Sequence, residues 1–290
     1  SLQIYGGISR YMCELAQCLA ATSKQDVSIV APLYVNNYLQ QSPVSLKVYG
    51  LATPPIPKTG RFRSAINWAV AWLCIRILQP DIVHETYYSE KRIAPVNAKV
   101  ILTVYDMIHE RFADQFPHCD ATAKLKAMAV ARADHIICIS EHTRQDLIAM
   151  LGVHPDKISV VHLGFGLMNV SKQPQEIENI LRPFLLYVGL REGYKNFEGL
   201  LRAYADSATL KNGYDLVCFG GGAFTQKELD IIDLLDLTQS AVRHVSGSDD
   251  KLASYYKTAH AFVFPSLYEG FGIPPLEAMN HSCPVVCSNV

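Results

Sequence analysis

The sequence predicts an α/β protein made of two Rossmann-like, doubly wound parallel-sheet domains that face each other across a cleft. Three observations predict it. Short β-branched runs alternate with longer segments of helical periodicity almost throughout. The alternation breaks once, at "GFGLMNVSKQPQEIENILRP" (164–183), where glycines, prolines and polar residues replace it. The 290 residues exceed the usual size of a single core.

In chain order, a helix is expected over residues 8–22, followed by the strand "VSIVA" (27–31) and a helix over 61–78. The strands "DIVH" (81–84) and "KVILTV" (99–104) come next, then a helix over 121–133, the strand "HIICIS" (135–140), a helix over 141–151 and the strand "ISVVHLG" (158–164). After the break the beat restarts with "FLLYVG" (184–189), a helix over 196–207, "DLVCFG" (215–220) and helices over 226–235 and 249–258. It closes with "AFVFP" (261–265), a helix over 275–281 and "PVVC" (284–287). Continuous apolar strands of this kind belong to parallel sheets covered by helices on both faces. The domains are accordingly placed at residues 1–170 and 171–290. Both ends read as truncated: the chain opens on a loop feeding a helix, without a first strand, and stops on a strand with nothing after it.

Composition narrows the function. Hydrophobic residues make up 49% and charged residues 18%, enough apolar material for substantial cores and too little charge for disorder. The 26 basic side chains nearly cancel the 27 acidic ones, for a formal net charge of −1, so no basic excess points to nucleic acid. Eight cysteines carry no C-x-x-C pair and no zinc spacing, which suits reduced thiols in a cytoplasm. No apolar run reaches the roughly 20 residues needed to span a bilayer.

Open α/β sheets bind ligands at strand carboxyl ends and helix amino ends, so the loops there carry the candidates. After "FLLYVG", Arg191 and Lys195 stand just before a helix, where cations and dipole together suit a diphosphate. A solvated loop explains the same residues. Gly220, Gly221 and Gly222 would let the backbone approach a nucleotide, although tight turns need glycine anyway. "YGGIS", with Gly6 and Gly7 before a helix, is a similar feature of the first domain.

"YEGFGIPPLEAM" (268–279) is the most informative stretch. Glu269 follows a buried strand and precedes Gly270, Phe271 and Gly272 in a loop. Pro274 and Pro275 mark the first turn of a helix, and Glu277 is expected in that turn, where the dipole alone would favour it. The dipole gives no such reason for Glu269, whose loop is expected to face the cleft.

"PSLYEGFGIPPLEAM" resembles the signature of two glutamates found in retaining GT-B glycosyltransferases of glycosyltransferase family 4. "YGGISRY", "PDIVHETYY", "ADHIICISEHTRQDL", "KISVVHLGFG", "LLYVGLREGYKNF" and "PVVCSNV" resemble that family's successive blocks, over nearly the whole chain. The resemblance implies the GT-B architecture, with a sugar nucleotide on the second domain and an acceptor on the first. It implies Glu277 on the ribose hydroxyls, Glu269 on a donor-sugar hydroxyl, and Phe271 and Gly272 beside the sugar and phosphates. Lys195 matches the diphosphate lysine. Arg191 takes the arginine's role by proximity only, since Leu190 occupies the family position. Tyr105 stands where relatives carry histidine, beside Asp106, a candidate contact for the donor sugar or the acceptor hydroxyl. His84 and His109 are further candidate contacts for sugar or acceptor. Gly7, Asp106, Arg191, Lys195 and Glu269 are expected to line the cleft.

The activity so implied is a retaining, metal-independent hexosyl transfer, with mannose from GDP-mannose as the donor choice, to a glycan or lipid-linked saccharide of surface-polysaccharide assembly. No cofactor is expected beyond the sugar nucleotide. Two alternatives stay open: another GT-B sugar-nucleotide enzyme such as an epimerase, and a non-catalytic nucleotide-binding subunit. The helix "RFRSAINWAVAWLCIRIL" (61–78) places Trp68 and Trp72 near Arg61, Arg63 and Arg76. It is expected to pack as an ordinary sheet-covering helix, with peripheral contact at the inner face of a membrane as its other reading.

Overall fold

The computed structural model describes residues 7–22, 24–40, 46–56, 59–117, 119–164, 177, 182–238 and 240–290, with the side chain of residue 61 set aside. The chain divides into two compact units, Ser1–Glu110 with His118–Leu163, and Arg111–Pro117 with Gly164–Val290. The expected boundary at residues 170 and 171 lies outside the described residues. Each unit is a parallel-sheet α/β domain.

In the first unit, α1 (Gly7–Thr22) precedes β1 (Ser28–Tyr34), α2 (Asn37–Gln40), β2 (Lys47–Ala52) and α3 (Gly60–Leu78). β1 and β2 pair parallel as a two-stranded sheet whose register shifts between Val30 and Leu33. The side chain of Asn67, on α3, serves the backbone at that irregularity. It accepts from Leu33 N at 2.7 Å and donates to Leu33 O at 3.0 Å. A four-stranded parallel sheet follows, in the order β3 (Ile82–Glu85), β4 (Lys99–Val104), β5 (His135–Cys138), β6 (Ile158–Val160). Its connections include α4 (Ile108–Arg111), α5 (Thr122–Arg132) and α6 (Glu141–Leu151). α6 starts at Ser140, whose hydroxyl accepts from Thr143 N, and ends at Gly152 with φ +63°, a start and stop set by side chain and backbone.

The second unit holds one five-stranded parallel sheet. Its strands are β7 (Phe184–Val188), β8 (Asp215–Phe219), β9 (Val242–Val245), β10 (Ala261–Phe264) and β11 (Val285–Cys287), in the order β11-β10-β7-β8-β9. α7 (Phe197–Asp206), α8 (Ala208–Gly213), α9 (Gln226–Leu234), α10 (Asp249–Thr258) and α11 (Ile273–Asn280) connect them. Successive residues of β7 enter opposite cores. Phe184 and Leu186 join Phe262, Tyr255 and Ala278 on one face, while Leu185 and Tyr187 join Phe197, Leu201 and Tyr204 on the other. A strand buried on both sides has no polar alternation, which is why "FLLYV" reads as one apolar run. The strand order reverses between β7 and β10, the topological switch point at which open α/β sheets bind ligands.

Several elements differ from the expectations, the short helices α2, α4 and α8 among them. β2 and β9 have no counterpart in the expected strands. α11 begins at Ile273, earlier than expected, because Gly272 at φ +92° turns the chain into it and both prolines fit the first turn. Glu277 is therefore the fifth helical residue, beyond the first turn, and the dipole explanation for it loses its footing. α3 packs against β1, as expected of a sheet-covering helix, but turns inward only a narrow stripe that includes Arg63, Asn67, Ala71 and Ile75. Phe62, Trp68, Trp72, Leu73 and Ile77 are exposed.

Candidate functional site

At the switch point of the second unit, the loops after β7 and β10 bring two candidates together. Lys195 ends a short 3-10 turn after β7, and Glu269 lies in the loop after β10. Lys195 Nζ donates to Glu269 Oε1 at 2.6 Å, with the two side chains 20% and 16% exposed. The ammonium also lies 5.0 Å from the Tyr194 ring centroid and 5.7 Å from that of Phe264. The loops are tied by backbone as well, since Leu267 N donates to Tyr194 O at 2.8 Å. Tyr268, beside Glu269, is buried under Phe112 and Arg111, which belong to the same unit.

Glu277 is half-buried on α11, where Tyr256 Oη donates to Glu277 Oε2 at 3.3 Å. Burial first, and then the Glu277 carboxylate, push the Tyr256 hydroxyl well above its ordinary range, so it stays a donor. Phe271 and Gly272 occupy the bend between the two glutamates.

Arg191 takes a different place from the expected one. Its side chain is 2% exposed, and it is engaged within the protein. Nε donates to Glu228 Oε1 at 2.7 Å, Nη1 to Gly220 O at 3.0 Å, and Nη2 to Gly222 O at 2.9 Å and Ala223 O at 3.0 Å. Its guanidinium carbon stands 4.9 Å from the Phe224 ring centroid. A group so placed holds the glycine turn, with most of its donors engaged there. Gly220, Gly221 and Gly222 all have left-handed φ, +78°, +70° and +76°. A Cβ at Gly221 would come within 2.4 Å of Gly189 O and 2.9 Å of Arg191 Nη1, so the turn needs glycine for space as well as for φ.

In the first unit, candidates gather at the carboxyl ends of β3 and β4. His84 Nε2 is 2.8 Å from Thr103 Oγ1, and burial lowers the imidazole pKa below its usual value. Tyr105 is buried, its hydroxyl donating to Thr86 O at 3.4 Å and its ring edge-on to Tyr11 at 6.0 Å between centroids. The Asp106 carboxylate accepts from Ile108 N at 3.1 Å. His109 Nε2 lies 3.3 Å from Asp120 Oδ2, and Asp120 is held below the usual carboxylate range by hydrogen bonds from Thr122. Gly7 is the first residue of α1, and a Cβ there would meet nothing within 4 Å. Gly6 lies outside the described residues.

Sequence reasoning missed three partners. Lys126 is fully buried. It donates to Glu110 Oε2 at 2.7 Å and to Asp106 O at 2.8 Å, and stands 3.8 Å from Asp106 Oδ1. Nothing in "AKLKAMAV" separates it from the neighbouring Lys124. Tyr256 sits in a run of two tyrosines and gave no signal either. Glu228 did have one: Thr225-Gln-Lys-Glu228 is a capping box, with both reciprocal bonds formed.

Among the described residues, no group of three or more His, Cys, Asp and Glu is arranged to hold a metal ion. No helix among them is long and apolar enough to cross a membrane.

Two parallel-sheet α/β domains in this order, with the paired loops at the second sheet's switch point, define the GT-B class of fold. The solved structure of WaaG, a glycosyltransferase involved in lipopolysaccharide biosynthesis, is similar over 99% of this chain and 78% of that one, with a TM-score of 0.67 and 18% identity. The chain belongs to glycosyltransferase family 4: the model described as Glycosyltransferase Family 4 matches residues 5–167, and the one described as Glycosyl transferases group 1 matches residues 171–290. The O-antigen chain mannosyltransferase B of Escherichia coli is 31% identical over 53% of this chain and 43% of its own length. The O-antigen chain mannosyltransferase RfbU of Salmonella typhimurium is 27% identical over 80% of this chain and 64% of its own. The chain thus spans less than two thirds of the length of these relatives.

Proposed function

We propose that the protein is a retaining glycosyltransferase that moves a hexose, mannose by preference, from a nucleoside-diphosphate sugar to a hydroxyl of a glycan or glycolipid acceptor. The observation that carries this reading is the Lys195–Glu269 pair at the β7/β10 switch point, with Glu277 following on α11. The two carboxylates and the cation fit three parts of one donor: ribose on Glu277, diphosphate on Lys195, sugar hydroxyl on Glu269. Two O-antigen mannosyltransferases among the relatives support the choice of mannose.

In the reaction, the acceptor hydroxyl oxygen bonds to the anomeric carbon on the same face from which the diphosphate oxygen departs. The hydroxyl proton passes to an oxygen of the leaving diphosphate. Lys195 stabilises the charge that develops there, and Glu269 holds the sugar as the glycosidic bond breaks. The Lys195–Glu269 contact orients each group for its own task. The acceptor is assigned to the first unit, with Asp106, His84, Tyr105 and His109 as its candidate contacts, and GDP-mannose is the donor to try first. A panel of nucleoside-diphosphate sugars scored by thermal shift, followed by assay of transfer to an acceptor against interconversion of free sugar nucleotide, tests this. Interconversion without transfer favours an epimerase. Binding without either reaction favours a nucleotide-binding subunit.

A peripheral membrane contact has its own observation. The outward face of α3 carries Phe62, Trp68, Trp72, Leu73 and Ile77, with Arg76 4.2 Å from the Trp72 ring centroid and Lys91 5.3 Å from that of Trp68. Apolar side chains rimmed by cations suit an anionic lipid surface. Co-flotation with anionic vesicles that is lost in Trp68→Ser/Trp72→Ser tests it, and equal flotation with neutral vesicles argues against the charge component.

A further inference from the structure

Arg191 and Glu228 form a buried ion pair that no role in the reaction yet uses. We propose that Arg191 is a positioning residue: locked by Glu228, it sets the turn Gly220–Ala223 so that the turn's N–H groups donate to the diphosphate of the nucleotide. This rests on the reading above that the second unit holds a nucleoside diphosphate.

In a trans peptide the N–H points opposite the C=O. The carbonyls of Gly220 and Gly222 point at the guanidinium, since both accept from it. The N–H groups of Gly221 and Ala223, in the same peptide planes, therefore point away from Arg191. No described residue accepts from either of them, whereas Gly220 N, one residue earlier, is bonded to Val245 O at 2.9 Å. The turn lies directly after β8, at the carboxyl end of the strand next to β7. Two backbone donors aimed away from a buried cation, at the ligand end of a parallel sheet, suit an anionic group.

The guanidinium is the right device for this task. Its planar fork reaches three carbonyls and a carboxylate at once, which a lysine's single ammonium cannot do. Glu228 is itself fixed, because it accepts from Thr225 N at 2.6 Å and Thr225 Oγ1 at 2.9 Å in the capping box of α9. Three left-handed glycines would otherwise leave the turn many conformations. The lock removes them before the ligand arrives, so the ligand need not pay for ordering the turn.

The sign of one substitution separates a positioning role from direct contact. Glu228→Gln keeps the capping box, since glutamine serves at that position, but removes the charge that holds Arg191. If Arg191 touched the diphosphate itself, its release would leave affinity unchanged or raise it. If it positions the turn, affinity falls. Calorimetric Kd values would be measured for GDP, UDP and their nucleosides with the wild type, Glu228→Gln and Arg191→Lys, together with melting temperatures. Both variants are expected to raise the Kd of the preferred diphosphate about tenfold, the scale of a lost charged hydrogen bond, and to leave that of the nucleoside unchanged. An unchanged or lower diphosphate Kd in Glu228→Gln overturns the proposal, even if Arg191→Lys fails to fold. So does a fall in melting temperature with both Kd values intact, which assigns the pair to structure alone. A wild type that binds neither diphosphate overturns the donor reading instead.

Discussion

Lys195 and Glu269, 74 positions apart in the chain, meet at 2.6 Å where β7 and β10 end. Each side chain keeps some exposure, so the pair is neither a core salt bridge nor a solvated one. An ion pair in that position orders both groups, and in the proposed reaction each would exchange the other for the charge or hydroxyl of the donor. Lys195→Ala is expected to weaken nucleoside diphosphates by about 1.5 to 3 kcal/mol relative to the matching nucleoside, the value of a hydrogen bond to a charged group. Calorimetry with both ligands checks it. Equal losses for the two would mean that Lys195 acts through folding.

The pH dependence of stability follows from two histidines. Burial lowers the pKa of His84 below the ordinary 6.5, and burial together with the Lys257 charge does the same to His281. For a depressed base the unfolded chain takes up its proton first. The stabilisation is therefore present above the unfolded value and is lost as pH falls through the folded one. Denaturant midpoints should drop as pH falls through and below the ordinary 6.5, and His84→Gln should flatten that limb. An unchanged slope in the variant would assign the dependence to other groups.

The bend between the paired glutamates was legible because glycine and proline spell it out, and most strands of the two larger sheets were legible because burial leaves uninterrupted apolar runs. β9 was not, because its residues Val-Arg-His-Val carry two polar side chains on an edge strand. β2 was hidden by its exposure and by a glycine at its centre, whose missing Cβ would fall 1.9 Å from Ala31 O. Helices of four to six residues such as α2, α4 and α8 are too short for a periodicity to register. Site partners were the least legible. Lys195 with Glu269 and Arg191 with Glu228 are contacts between loops or helices of different strand crossovers, and no local pattern encodes them.

Lys126 provides a test of the first unit. It is fully buried against Glu110, whose side chain is 9% exposed. Removing the cation leaves a carboxylate without compensation, so Lys126→Met should destabilise the protein by about 3 to 5 kcal/mol. Adding Glu110→Gln should recover much of that loss, because the second change removes the stranded charge. Chemical denaturation of the wild type, both single variants and the double variant provides the cycle. Additive losses would show that the two side chains do not depend on each other.

The roles proposed for Glu269 and Glu277 differ enough for two isosteric changes to separate them. Glu277 is on α11 past its first turn, with Tyr256 as a donor, so it is not explained by the helix dipole. If it holds ribose, Glu277→Gln should weaken sugar nucleotide and bare nucleoside diphosphate alike, because both contain ribose. Glu269→Gln should leave the bare nucleotide's affinity less affected and slow transfer instead. A sugar contact that strengthens as the glycosidic bond breaks lowers the transition state more than it lowers the bound complex. Glutamine at 269 still accepts from Lys195 but no longer neutralises it, so a modest gain in phosphate affinity would also fit. Nucleoside diphosphate affinity, turnover and melting temperature, measured for both variants, decide the matter. Unchanged affinity and turnover in both would remove the pair from the ligand site, whereas a loss of nucleotide affinity confined to Glu269→Gln would exchange the two roles.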